Sequence, residues 1–315
     1  MSADGIIVPP AKPLAEGILE IDTLLGGWHH TTAGYLLTGP RPVLVETGSQ
    51  TSVPVVLAEL ERLGLGPGDL YGIALTHIHL DHAGGVGDVA AAYPNATVYV
   101  HALGARHLAD PTRLVASAGQ VYGPLLDSLY GRLTPTAPDR LRVLAHGETV
   151  DLGGGRALVA VDSPGHAKHH LGFHDELSGL LFSGDAVGVR LPDGGVLRPA
   201  TPPPDFDLDL ALASLERFAQ RRPAGIALAH YGLVPGAVDD LLEEAAETLC
   251  AWAAEAERAL RAGEDVAGAL AERFASDVSG LSEDSRRRIE TLNGVHSNAA
   301  GLSRWLAKRD AEPTA

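Results

Sequence analysis

The sequence predicts a mixed α/β (α+β) body followed by an all-helical C-terminal part. Three observations predict it. Short apolar, β-leaning runs alternate with segments of helical spacing up to about residue 234. Strand signals vanish from Gly236 onward. The residues with metal-ligand chemistry sit where apolar strands run into Gly or small-residue turns, the place where loops on a rigid scaffold hold sites.

Taken in order, Gly17–Ile21, Ala33–Thr38 and Pro42–Glu46 are apolar and β-leaning, punctuated by Gly26-Gly27 and Gly39-Pro40. Residues 53–64 switch to helical spacing, with Val56, Leu60 and Leu63 on one face and Gly64 as the stop. A strand over Tyr71–Thr76 is followed by a short helix over Gly87–Tyr93, ended by Pro94, and a strand over Thr97–His101. Residues 103–133 read as two helices broken near Asp110-Pro111. Strands resume at 141–144, 148–152 and 157–162, and a hairpin pairs 171–174 with 180–183. After a Pro/Gly loop over 191–205, Asp205 or Asp207 caps a helix striped by Leu208, Leu212, Leu215 and Phe218. Strand Ile226–Ala229 closes the body. The C-terminal part reads as a long helix from Val238 to Arg261 and two shorter ones over 266–275 and 282–309. No internal repeat is visible.

With 315 residues and 45 % hydrophobic content, the chain can bury a large core. Net charge is −16, from 40 acidic against 24 basic residues, a balance that repels phosphate backbones and argues against a nucleic-acid partner. The single cysteine, Cys250, excludes an internal disulfide. No long uncharged apolar run predicts a membrane span, and Met1-Ser2-Ala3-Asp4-Gly5 lacks the start of a secretory signal. The expectation is a cytoplasmic protein acting on a small molecule, with a homodimer possible.

The densest chemistry lies in Thr76-His77-Ile78-His79-Leu80-Asp81-His82-Ala83-Gly84-Gly85. Three imidazoles and a carboxylate fall within six positions, and His and Asp are preferred N and O donors for a borderline divalent metal. Alternation along a strand points His77 and His79 the same way, and the turn lets Asp81 and His82 face a second ion. Three later segments end in a potential ligand: Val161–His166, Leu181–Asp185 and Ile226–His230. The resulting five His and two Asp fit two divalent ions. His77, His79 and His166 would hold one, Asp81, His82 and His230 the other, with Asp185 bridging. Each ion keeps an open position, which marks a catalytic rather than a closed structural site. Ligation without thiolate suits Zn, with Fe or Mn as alternatives.

This set resembles the metallo-β-lactamase superfamily over roughly residues 17–232, through Thr-His-x-His-x-Asp-His at 76–82, Ser-Pro-Gly-His at 163–166, Ser-Gly-Asp at 183–185 and His230. The resemblance implies an αββα four-layer sandwich over residues 1–234 with the metal site at one sheet edge, a C-terminal helical subdomain over 235–315, and the ligand set just given. Gly165-His166-Ala167-Lys168-His169-His170 is similar to the GHxxGH of the glyoxalase-II-like branch, with His169 in place of its second Gly. A prokaryotic subgroup marked by His79–Gly85, Gly165-His166-Ala167 and Pro202–Phe206 is a narrower match. Glu46 stands where the superfamily usually carries Asp. Ala186-Val187-Gly188-Val189-Arg190 replaces the Cys-Gly-Lys-like segment of glyoxalase II, which argues against a glutathione thioester.

The expected function is a binuclear metal-dependent hydrolase in which a hydroxide between the ions attacks an ester, thioester or lactone carbonyl, with Asp81 guiding the proton. The alternatives are a di-iron redox enzyme or sulfur dioxygenase on the same fold, then a phosphodiesterase or nuclease, then a non-catalytic scaffold. Tyr231, next to a ligand, is the candidate to meet an oxyanion, with packing under the loop as the other reading. His170 is a candidate to orient the site. Lys168 and Arg190 are candidates to bind a substrate carboxylate. Tyr122, Leu125 and Leu129 are either a lid or core, His29 and His30 a pocket wall or an ordinary turn, and His169 and His174 surface or hairpin residues. His107 has no motif context.

Overall fold

A computed structural model describes residues 7–192 and 195–311. The stretch Met1–Gly5, read above for a signal, lies outside the described residues.

Two sheets carry the body. The first runs β1 (Lys12–Ala15), β2 (Ile18–Asp22), β3 (Ala33–Leu37), β4 (Val43–Val45), β5 (Gly72–Ala74), β6 (Thr97–His101) and β7 (Leu141–Leu144), in that spatial order. Pairing is antiparallel from β1 to β4 and parallel from β4 to β7. Helices α1 (Val53–Arg62), α2 (Leu80–Ala83) and α3 (Val86–Ala92) make the parallel crossovers. Between β6 and β7 lie α4 (Ala102–Ala109) and α5 (Thr112–Tyr122).

The second sheet has the order β13-β12-β11-β10-β9-β8, from β8 (Thr149–Gly153), β9 (Arg156–Asp162), β10 (Leu171–Asp175), β11 (Leu180–Phe182), β12 (Gly225–Leu228) and β13 (Gly232–Leu233). Helix α6 (Leu208–Gln220) links β11 to its parallel neighbour β12, and Asp207 caps it, its side chain accepting from Leu210 N at 3.1 Å. The C-terminal helices are α7 (Val238–Ala262), α8 (Val266–Arg273), α9 (Glu283–Asn293) and α10 (Val295–Ala311).

Period-two alternation builds the layers. Tyr35, Leu37, Val43 and Val45 face Leu158, Phe173 and Phe182 of the second sheet, while Leu36 and Leu44 turn to the outer face against α1 and α3. On the other side, Val161, Leu181, Ile226 and Leu228 pack against α6, α7 and α10 through Phe218, Trp252 and Leu302. The result is helix, sheet, sheet, helix, with the C-terminal helices sharing one apolar cluster with the second sheet.

The predicted strands and helices of the body are found within a few residues, except that the second helix expected within 103–133 ends at Tyr122, and a separate π-helical turn follows over Leu126–Tyr130. Strands β1 and β13 carried no readable signal. The helix expected over 282–309 is two helices, because Gly294 is extended (φ −68, ψ 147) and the Glu290 Oε2 carboxylate accepts from Val295 N at 3.2 Å, starting α10 afresh.

Candidate metal centre

The parallel strands of the first sheet end at one edge, and β5 delivers the His block there. After His79 the chain turns into α2, which swings Asp81 and His82 to the side of His77 and His79. The second sheet brings His166 from the turn after β9, Asp185 from the turn after β11 and His230 from the turn after β12. All seven predicted residues meet in one place. Ligand atoms of His77, His79 and His166 lie within 4.8 Å of one another, as do those of His77, His82 and Asp185, and of Asp81, His82 and His230.

His79 Nδ1 is 3.0 Å from His77 Nε2 and 2.9 Å from His166 Nε2. His230 Nε2 is 3.2 Å from His82 Nε2. Asp185 lies between the groups: Oδ2 is 3.6 Å from His166 Nε2, and Oδ1 is 3.4 Å from both His82 Nε2 and His230 Nε2. Asp81 Oδ2 stands 3.6 Å from His230 Nε2 and 3.8 Å from His82 Nε2.

The outer ring nitrogens explain which way the rings face. His166 Nδ1 meets the Ala200 carbonyl at 3.0 Å and His230 Nδ1 meets the Thr31 carbonyl at 2.8 Å. A carbonyl only accepts, so each Nδ1 carries the proton and each ring turns its Nε2 inward, the nitrogen that can ligate. His82 Nδ1 meets Glu46 Oε2 at 2.8 Å, and His77 Nδ1 meets Thr76 Oγ1 at 3.0 Å. Converging lone pairs repel unless a cation sits among them. Asp185 Oδ1, buried without a hydrogen-bond partner, is a further acceptor with nothing donating to it. The donor set fits divalent cations on both counts.

Electrostatics separate the two groups. Burial pushes His77 and His79 well down, helped by the surrounding imidazoles, and pushes His166 down against the pull of Asp185. Burial also opposes charge on His82, but the Asp185, Asp81 and Glu46 carboxylates outweigh it and hold that ring well above its ordinary value. Burial likewise opposes charge on Asp185, and the His82, His230 and His166 rings hold it well below the usual carboxylate range.

Glu46 does what a shorter carboxylate would have to do from closer in. Its φ is +64, its side chain is buried, and Oε1 accepts from Thr76 N at 2.8 Å while Oε2 meets His82. One carboxylate thus ties the start of the His block to its end. His170 holds the other side: Nδ1 meets Ser163 Oγ at 2.8 Å and Nε2 accepts from Asp185 N at 3.2 Å. Gly184 allows this close approach, since a Cβ there would lie 2.5 Å from His170 Nε2 and 2.6 Å from Thr76 Oγ1.

The centre opens into a cavity of about 320 Å³, bounded by α5, the proline loop over 202–204 and the junction of α9 with α10. Here several expectations are corrected. Tyr231 is not among the cavity residues; its ring lies 5.0 Å from His30, and burial together with Glu20 and Asp22 pushes its phenol up. Among the described residues the cavity tyrosine is Tyr122, its ring tilted against that of buried Tyr130 at 4.3 Å. Lys168 and Arg190 do not line the cavity and are held in ion pairs, Lys168 with Asp205 of the cavity wall at 2.7 Å and Arg190 with Glu244. His169 is not a surface residue: it lines the cavity, its ring stacked 6.2 Å from His77, and burial lowers it to about 4. His107 and Arg113 also line the cavity. His29 pairs with Asp22 at 3.2 Å, outside it. The carbonyls of Ala200 and Thr31 were missed because a backbone acceptor has no side-chain signature.

Residues 26–230 match the metallo-β-lactamase superfamily, and the chain belongs to it. It is 32 % identical over 204 residues to the metallo-β-lactamase fold-containing protein ST1585 of Sulfurisphaera tokodaii, covering 64 % of this chain and 72 % of that one. The crystal structure of that archaeal protein superposes with a TM-score of 0.69 at 24 % identity, covering 92 % of this chain and 99 % of the other. A hydroxyacylglutathione hydrolase from Synechococcus is 31 % identical over 153 residues, 49 % of this chain and 48 % of its own length, so the chain spans about half of that relative. Among the described residues no helix is long and apolar enough to cross a membrane.

Proposed function

We propose that the protein is a two-ion hydrolase of small-molecule esters, thioesters or lactones. The observation that carries this is the position of Asp185, whose two oxygens face one His group each at 3.4 to 3.6 Å. His77, His79 and His166 would hold one ion, Asp81, His82 and His230 the second, and Asp185 both; Zn suits the donors best.

Divalent ions held there supply acidification of a water and polarisation of a carbonyl. The chain's own residues do the rest. Glu46, Thr31 and Ala200 fix the ring orientations and His170 fixes the Asp185 turn. Asp81 Oδ2, in the cavity wall, accepts the proton given up by the attacking water. The new C–O bond forms at the carbonyl carbon, and the C–O or C–S bond to the leaving group breaks. The −16 net charge disfavours phosphodiesters of nucleic acid.

The test is metal stoichiometry on protein purified with its native metal, with turnover of lactones, thioesters, alkyl esters, β-lactams and phosphodiesters. Two zinc ions per chain with ester, thioester or lactone cleavage are expected. Iron with oxygen consumption, or cleavage confined to phosphodiesters, would overturn the reading.

A further inference from the structure

Helix α5 has a feature that core packing does not explain. It is eleven residues long and amphipathic, yet none of its residues is fully buried. Arg113, Leu114, Ser117, Ala118, Val121 and Tyr122 fall on one helical face, and all six line the cavity. Val121 is 61 % exposed and Leu125, just beyond the helix, 48 %. Leu114, Ala118 and Tyr122 rest partly on the core cluster beneath the helix, while Val121 is left open on the cavity side, and exposed apolar surface of that kind marks a binding surface.

The face has a direction. Tyr122 marks the end at the metal centre: burial raises its phenol, and Asp81 and Asp185 are near enough to raise it further. Arg113 marks the other end, roughly 14 Å away along the helix axis at 1.5 Å per residue. Between them lie Leu114, Ala118 and Val121. Across the cavity stand Pro202, Pro203 and Leu292, apolar again. Arg113 is exposed; neighbouring Asp110 accepts from Thr112, at 3.2 Å from N and 2.6 Å from Oγ1, and its carboxylate also lies near enough to Arg113 to be held down by it. Among the described residues that line the cavity, Arg113 is the one Arg or Lys, Lys168 and Arg190 being engaged in ion pairs. The volume, about 320 Å³, is near the lower end of small-molecule sites and suits a slender ligand.

We propose, resting on the hydrolase reading above, that the substrate's acyl part is an unbranched apolar chain lying along α5 and ending in an anionic group held by Arg113. The carbonyl then sits at the centre and the anion at the far mouth. Each methylene covers apolar wall that is otherwise wet.

The experiment uses the zinc-loaded full-length chain and 4-nitrophenyl esters of acetate, butyrate, hexanoate and octanoate, with the mono-ester of octanedioate beside them. The expected kcat/KM rises about fourfold per methylene until the cavity is filled. The octanedioate mono-ester is favoured over octanoate by about tenfold, the scale of a charge-assisted contact. Arg113→Gln removes that advantage and keeps the rise with length; Val121→Asp flattens the rise. A flat series, or a preference that survives Arg113→Gln, overturns the proposal. Calorimetric binding of octanoate and octanedioate to the same proteins reads the cavity without turnover. If no ester is cleaved but octanedioate binds about tenfold tighter through Arg113, the hydrolase reading falls and the cavity assignment stands. Cleavage without dependence on length or on Arg113 does the reverse, and no binding of octanedioate overturns the cavity assignment alone.

Discussion

The two halves of the molecule supply the centre in opposite ways. The N-terminal half delivers His77, His79, Asp81 and His82 from one strand end and one helical turn. The C-terminal half delivers His166, Asp185 and His230 from three loops separated by whole strands and helices. The first group is shaped by local backbone geometry, with Glu46 as a brace across it. The second has no local geometry to rely on, and each member is held by a remote group: Ala200 and Asn298 behind His166, His170 behind Asp185, Thr31 behind His230. A site can thus be half motif and half architecture, and the two halves should fail differently when disturbed.

The strongest disturbance is Asp185→Asn. The amide keeps the volume but removes the charge that faces both proposed ion positions. Both ions should be lost, with metal affinity and activity falling by more than about 100-fold, beyond what an outer partner typically contributes. Metal content by mass spectrometry checks it. Full stoichiometry in the variant would mean that Asp185 does not hold either ion and that His166 and His230 are the ligands of the C-terminal half.

A second disturbance separates the joining of the halves from the centre. Arg156 grips Asp175 at 2.9 and 2.8 Å and reaches the Gly17 and Thr38 carbonyls of the first sheet, both at 3.4 Å. Burial opposes charge on Asp175, but Arg156 and Ser178 hold its carboxyl below the usual range. A carboxyl depressed in the folded chain adds stability above its unfolded value, and the gain is lost as pH falls through the folded value. Asp175→Asn should cost about 3 kcal/mol near pH 7 by leaving Arg156 buried and unpaired. Urea midpoints should show that gap narrowing with acid below about pH 4. A gap that stays constant down to pH 2 would show that the carboxylate's charge is irrelevant.

Glu46→Gln tests the brace in the N-terminal half. It keeps the acceptor for Thr76 N but weakens the hold on His82. Affinity for the second ion should fall about 10- to 100-fold, with the first ion much less affected. Glu46→Asp should do the same by shortening the reach. Zinc titration that finds both ions equally weakened would mean the two positions are not separately braced.

Legibility in the sequence followed the same division. The His block and the strand-end ligands could be read because strand alternation and ligand spacing are local, while the layer order came only from the resemblance those motifs carry. The break at Gly294 was hidden, since a single Gly inside a helical stripe is tolerated as often as it breaks one. Glu46 looked like a departure because sequence shows side-chain length but not the φ of +64 that sets where the carboxylate starts. Tyr231 drew attention by adjacency to His230, whereas Tyr122, far away in sequence, is the phenol in the cavity. Arg113 carried no motif and His169 stood in one only as a departure from it, and only the folded cavity shows what they face.

The subtlest test reaches the centre from its farthest support. Asn298 in α10 accepts from Thr201 N at 2.7 Å and Thr201 Oγ1 at 2.9 Å, and donates to Asn293, which donates to the Pro199 carbonyl at 3.1 Å. This network fixes the backbone on both sides of Ala200, whose carbonyl orients His166. Gly301 lets the helix come close enough, because a Cβ there would lie 1.8 Å from the Thr201 carbonyl. Asn298→Ala leaves Thr201 N and the Asn293 amide oxygen unpaired in a buried site, a loss of about 1–3 kcal/mol in stability. His166 is then free to turn, and affinity for the first ion should drop about tenfold while the second changes little. Zinc titration with a thermal melt separates the effects: lowered stability with unchanged affinity at both positions would mean that α10 only packs against the loop and does not set the angle of His166.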